Sequence, residues 1–336
     1  MQKSSIINKK DVQCISLFMT PHPIHDAWMK EVSNRRIKPY IPNFLFFGRH
    51  GLRNFPKIAQ IVSFLNGLFV PSSKLYLIEG PATVPCVYFK KGIVISINSD
   101  TFFYNLKHSS YLVRLYSKFL LKRIDGFIST SNFMQKQTNK SSEVVYPFVD
   151  VKNLLNIKPN FDNQNICNIS GMRYTKGTDI LIETFEKFRE ISPQAKLFAL
   201  GEEGETINWI DKINAVGGIA PGRIPIINYL KQSSIYLNPA RYEPFGVNIL
   251  EAMAAGIPPL VSEYCGSAEI VKKVDQRLVI SLNPMEIVKK IIWLKSNRKK
   301  YYELSKKCKD ETKKYTKEKS ICKFKEKFTR LVKKIK

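Results

Sequence analysis

RYEPFGVNILEAMAAGIP, residues 241–258, holds two glutamates, Glu243 and Glu251, eight positions apart across a Pro-Phe-Gly turn and an otherwise apolar run. A surface helix would scatter its charges and a core helix would carry none, so the pair calls for a pocket. Pro244, Phe245 and Gly246 do not suit a strand core, and they mark a strand-to-helix turn after SIYLNPA (234–240). The helix that follows is closed by Gly256 and Pro258. Its first backbone N–H groups and its dipole form an anion site. Glu243 lies in the turn and Glu251 about one helical turn in, on the side of Val247 and Asn248, so both carboxylates can face one crevice.

Acids beside an anion site make sense for a ligand with phosphates in its middle and hydroxyls at its ends. Carboxylates accept hydrogen bonds from vicinal hydroxyls, and amides and cations hold phosphate. A second candidate turn is SGMRYTKGTDIL, between the strand NICNIS (165–170) and the amphipathic helix DILIETFEKFREI. Here Arg173 and Lys176 stand at a helix start, where cations have the wrong sign for the dipole, with Gly171 and Gly177 loosening the turn. An anion between them and the backbone accounts for the placement. A solvated basic loop is the plain alternative for this segment taken alone.

Outward from these turns, strands and helices alternate. Ile180, Leu181, Phe185 and Phe188 give the helix after Gly177 an apolar face, and Ser192-Pro193 stops it. KLFAL (196–200), SIYLNPA and PPLVSE read as strands, and this order argues a parallel sheet covered by helices. VQCISLFM, KLYLIEG, GIVISIN and DGFISTS repeat the rhythm more weakly in the first 150 residues. Between the last two, Arg114, Lys118 and Lys122 recur every four residues beside Leu115, Tyr116, Phe119 and Leu120, an amphipathic basic helix. Packing on the sheet with a charged edge and a membrane-surface role are both open for it. YPFVDVKNLLNIKP (146–159) reads as the crossing between two halves.

A length of 336 residues suits two domains. No apolar run reaches the ~18 residues of a membrane span, and no signal-peptide apolar region follows the charged start. Six cysteines without CxxC or zinc spacing point to a cytosolic protein with reduced thiols. Net charge is +26 and uneven: residues 1–150 hold 20 Lys and Arg against 8 Asp and Glu, residues 151–280 hold 14 of each, and residues 281–336 hold 20 against 6. Anionic lipid, nucleic acid and a polyanionic substrate all suit such ends, as does a Lys-rich composition that merely aids solubility.

EPFGVNILEAMAAGIPPLVSE, with its E-x7-E spacing, resembles the retaining glycosyltransferases of family 4, the group 1 glycosyltransferases. GMRYTKGTDILIETF resembles their phosphate-binding turn, YCGSAEIV (264–271) their later Gly-rich segment, and IDGFISTSNFMQK (124–136) the last strand and helix of their first domain. The resemblance covers nearly all of 120–285. It implies an α/β GT-B fold, two facing Rossmann-like domains with parallel sheets and a nucleotide-sugar cleft between them. The domains would be 1–150 on the acceptor side, 151–283 on the donor side, and basic helices 284–336 returning to the first domain. It implies that Glu251 binds the donor ribose, that Glu243 contacts the donor sugar, and that the backbone of Phe245, Gly246 and Val247, with Gly171 and Gly266, lines the donor site. Arg173 and Lys176 would neutralise the diphosphate leaving group. No metal and no cofactor is implied beyond the nucleoside-diphosphate sugar itself, and the reaction retains anomeric configuration by front-side attack.

Departures fall mainly on the acceptor side. Arg173 lies three residues before Lys176, where many members have five. Asn98-Ser99-Asp100 stands where a His is common, so Asp100 is the candidate to orient the acceptor hydroxyl or take its proton, with an ordinary turn Asp as the alternative. FMTPHPIHDAW replaces the usual Gly-rich loop and brings His22 and His25, and Gly48-Arg49-His50-Gly51 is a further candidate loop. The expectation is a cytoplasmic transferase, peripheral at the inner membrane face, acting on a saccharide or lipid-linked acceptor and binding no specific nucleic acid. A GT-B epimerase or hydrolase is the alternative enzyme, and a basic nucleic-acid binder the alternative from another class, though no recognised nucleic-acid motif is present. A dehydrogenase lacks its GxGxxG.

Overall fold

The computed structural model describes residues 7–16, 22–37, 64, 65, 67–204, 207–220 and 225–336. Gly48–Gly51 lie outside these. The chain divides into two compact units, Met1–Tyr146 with Ser320–Lys336, and Pro147–Lys319.

The first unit carries β1 (Val12–Ile15), α1 (Pro23–Val32), β2 (Arg35–Ile37), β3 (Leu75–Ile78), β4 (Ile93–Asn98), α2 (Phe102–His108), α3 (Tyr111–Lys122), β5 (Gly126–Ser129), α4 (Asn132–Gln135) and β6 (Ser142–Val144). Its six strands are parallel in the order β2-β1-β3-β4-β5-β6. The inner strands VQCI, LYLI and GFIS are buried throughout, as parallel strands covered on both faces must be. The basic segment 101–122 is two helices, broken at Ser109-Ser110. In α3 only Ser117 and Leu120 are buried.

The second unit carries β7 (Ile166–Asn168), α5 (Thr178–Ile191), β8 (Leu197–Ala199), α6 (Trp209–Ala215), α7 (Ile226–Lys231), β9 (Ile235–Asn238), α8 (Val247–Ala254), β10 (Pro259–Ser262), α9 (Ala268–Val274), β11 (Val279–Ile280), α10 (Pro284–Lys295) and α11 (Arg298–Thr312). Its five strands are parallel in the order β11-β10-β9-β7-β8. Ala252, Ala254 and Ala255 are fully buried, and their small side chains let α8 lie close on the sheet.

The helices after residue 284 do not act as one block. α10 packs on α5 and α11 on α8, within the second unit. The last helix, α12 (Lys317–Ile335), joins the first unit from Ser320. There Trp28 stacks on Phe324 at 5.3 Å and donates to Ser320 Oγ at 3.1 Å, while Ser320 donates to the Tyr146 carbonyl.

Both sheets are doubly wound. In the first unit the chain leaves β1 toward β2 and returns to β3 on the other side. In the second it leaves β7 toward β8 and returns to β9. The carboxyl ends of the two strands flanking such a reversal are where open α/β sheets bind ligands.

Candidate active site

At the β7/β9 reversal of the second unit, two loops meet closely. Gly177, with φ +69°, passes so near the next loop that a Cβ on it would lie 2.0 Å from the Pro239 carbonyl oxygen. The Arg241 and Tyr242 N–H groups both donate to the Thr175 carbonyl, at 2.9 and 3.1 Å. Arg241 grips Asp179 with two hydrogen bonds of 2.6 and 2.7 Å and lies over the Tyr174 ring. These ties fix the segment 173–177 against the segment 239–243.

Across that junction Lys176 Nζ meets Glu243 Oε2 at 2.7 Å, with both side chains more than four-fifths buried. The backbone of Glu243 is locked in turn to the loop after β10: its N–H donates to Tyr264 O at 3.0 Å and its carbonyl accepts from Gly266 N at 2.9 Å. The N–H of Gly266 therefore serves the frame, as does that of Gly171, which donates to Leu200 O at 3.1 Å. Gly171 itself, at φ +76°, allows a close crossing: a Cβ on Gly201 would stand 2.6 Å from its Cα. Arg173 reaches over Gly204, where a Cβ would lie 2.3 Å from Nε, and its guanidinium has no ion-pair partner among the described residues.

Gly246 takes φ +81° to turn the chain into α8, and Phe245 is buried beneath it. The N–H groups of Gly246, Val247 and Asn248 donate to no acceptor among the described residues. The Asn248 side chain donates to Ile169 O at 2.7 Å, and its Oδ1 is buried without a partner. Further along α8, Glu251 has no hydrogen-bond or ion-pair partner among the described residues, and burial raises its carboxyl to about 7. The Tyr236 hydroxyl is held well above its usual range, first by burial.

The structure thus brings Lys176 and Glu243 into contact, with Phe245, Gly246 and Val247 in the turn after Glu243 and Glu251 further along α8, while the Arg173 side chain lies over Gly204. The sequence reading did not anticipate the Lys176–Glu243 pair or the part of Asn248. Asp100 belongs to the first unit, near His25 and Glu79. Among the described residues, no group of three or more His, Cys, Asp or Glu side chains is placed to hold a metal ion.

The fold is that of the GT-B glycosyltransferases. Anabaena Alr3699/HepE, solved with UDP-glucose, superposes with a TM-score of 0.69 over 95% of this chain and 99% of that one, at 14% identity. Residues 154–315, the stretch that builds the site just described, match the family model of glycosyl transferases group 1. Mannosylfructose-phosphate synthase of Agrobacterium fabrum is 28% identical over 123 residues, 32% of this chain and 27% of that protein. The lipopolysaccharide core biosynthesis mannosyltransferase LpsB of Rhizobium meliloti is 24% identical over 179 residues, 46% of this chain and 50% of that protein. The matches span about half the length of these relatives or less.

Proposed function

We propose that the protein is a glycosyltransferase that moves a sugar from a nucleoside-diphosphate sugar to a hydroxyl acceptor, with retention and without a metal. The observation that carries this reading is the β7/β9 reversal, where the Lys176–Glu243 pair stands beside a helix start whose first three amides have no acceptor among the described residues. The amides at the start of α8, with Lys176 and Arg173, stand ready for a diphosphate. Glu251 accepts the ribose hydroxyls, and Glu243 holds Lys176 in place while its carboxylate addresses the sugar. As the bond from the anomeric carbon to the phosphate oxygen breaks, negative charge grows on that oxygen, and preorganised cations and amides stabilise it. The acceptor oxygen bonds to the same face of the carbon, and its proton passes to the departing phosphate. Solved structures of similar fold hold UDP and UDP-glucose, and LpsB is a mannosyltransferase by name; both fit a sugar nucleotide as donor.

The acceptor in this reading is a saccharide or a lipid-linked glycan, reached from an anionic membrane face. No described helix is long and apolar enough to cross a membrane. Support comes from α3, where Tyr111, Leu112 and Leu115 are more than half exposed, beside Phe89 at 84% exposure and the exposed Arg114, Lys118 and Lys122. Apolar side chains standing outward among cations match a lipid surface.

A thermal-shift screen against UDP-, GDP-, ADP- and dTDP-sugars tests the donor reading. One class is expected to raise the melting temperature, and Glu251→Ala to weaken that shift. A screen with no stabilising nucleotide, or a shift indifferent to Glu251, contradicts it. The anomeric configuration of the product, read by NMR, tests retention.

A further inference from the structure

The reversal between β1 and β3 in the first unit carries a polar cluster of its own. Ser16 follows β1, Glu79 follows β3, and Asp100 lies two residues beyond β4, so three adjacent strands deliver them to one sheet edge. Glu79 is only 6% exposed. Its Oε2 accepts from the Ser16 hydroxyl, and its Oε1 accepts from the His22 N–H at 3.2 Å and lies 2.8 Å from His25 Nδ1. Burial works against the charge on Glu79, but these donors outweigh it and hold the carboxyl below its ordinary value, so it is ionised.

An ionised carboxylate at His25 Nδ1 places a ring proton on that nitrogen and leaves Nε2 as the ring's second hydrogen-bonding atom. Nε2 has no partner among the described residues, although His25 as a whole is only 7% exposed. The neighbouring His22 ring, 5.0 Å away, is lowered to about 4 by burial and by His25, so it stays neutral and does not draw Glu79 from its task. Asp100 uses Oδ1 to accept from Phe102 N at 3.0 Å. Its Oδ2 lies over Gly80, where φ is +85° and a Cβ would come within 2.5 Å.

A carboxylate, an imidazole and a hydroxyl drawn below the surface cost desolvation that an apolar strand end would avoid. Among the described residues no Lys or Arg is paired into the group. What it offers is a fixed ring nitrogen beside a carboxyl, groups that hydrogen-bond neutral hydroxyls. We propose that His25, oriented by Glu79 and Ser16, hydrogen-bonds through Nε2 to a hydroxyl of a saccharide bound beside Asp100 and Gly80. This saccharide is the acceptor of the proposed transfer, and that last identification alone rests on the transferase reading. Glu79 is a positioning residue, since it acts through the imidazole.

Saccharide binding without nucleotide separates the two ideas. The methyl glycosides of mannose, glucose, galactose and N-acetylglucosamine are titrated into the full chain labelled with 15N-histidine. At least one is expected to bind and to shift the His25 Nε2 resonance while Nδ1 keeps its proton. His25→Ala and Glu79→Gln are expected to weaken that glycoside at least tenfold, with His25→Gln recovering part of the loss. All three should keep the response to UDP or GDP seen in the unsubstituted protein. Because the nitrogen resonance is read in the unsubstituted protein, a poorly folded variant does not decide the matter. An unmoved Nε2 resonance with every glycoside, or a His25→Ala chain that binds as well as its parent, overturns the proposal. Loss of nucleotide response in all chains, with the glycoside shift intact, instead overturns the donor reading.

Discussion

Glu251→Gln offers a quantitative check because it replaces a buried carboxyl with a neutral group of the same shape. The folded-state carboxyl titrates at about 7, against 4.5 for the ordinary value, and the cause is burial. Between those two values the folded chain holds a proton that the unfolded chain has released, so stability falls as pH rises. The loss begins near 4.5, is complete somewhat above 7, and is absent below 4.5. At 1.36 kcal/mol per unit, the interval amounts to about 3 kcal/mol. Urea unfolding at pH 5, 6, 7 and 8 measures it. The variant should match the parent near pH 5 and exceed it by about 2–3 kcal/mol at pH 8, with an unchanged slope against denaturant. Nucleotide binding should release a proton near pH 6.5, because ribose hydroxyls favour the charged carboxylate. Parallel pH curves for the two proteins would refute the claim that Glu251 stands buried and unpaired.

Lys176→Met leaves Glu243 as a nearly buried carboxylate with no cation, which should cost about 3 kcal/mol, and the double variant with Glu243→Gln should recover most of it in a thermal or urea comparison. Additive losses would mean the pair is not coupled. Gly177→Ala combines a left-handed φ with a contact to Pro239 O that no side chain fits, and should destabilise by at least about 2 kcal/mol by urea unfolding. Binding to phosphatidylglycerol vesicles should fall with salt and weaken about 30-fold on neutralising Arg114 and Lys118, at ~1 kcal/mol each. Leu112→Glu should weaken it further, and equal binding to neutral vesicles contradicts the membrane siting.

The second unit was legible because its signals are local. Buried parallel strands such as IYLN and PLVS are largely apolar runs, and turns such as PFG and KGT need glycine at a left-handed φ. Three of the four edge strands gave no such signal: Arg35–Ile37, Ser142–Val144 and Val279–Ile280 are short or polar. The return of the terminal helices to the first domain was implied by the resemblance and not by any local signal. Trp28 and Ser320 are 292 residues apart, and no local pattern announces their contact. Lys176 and Glu243 were each visible, but their mutual pairing is a product of the sheet reversal. Glu79 was visible as a lone acid directly after the apolar strand LYLI, but its bonds to Ser16 and His25 have no local signal.

The central claim is that a diphosphate docks on the first turn of α8. Hydrogen exchange of the backbone amides, with and without the nucleotide that stabilises the protein, reads this directly. Slowed exchange is predicted at Gly246, Val247 and Asn248, whose N–H groups have no acceptor among the described residues. Protection confined to other segments, with these three amides exchanging as before, would contradict the account.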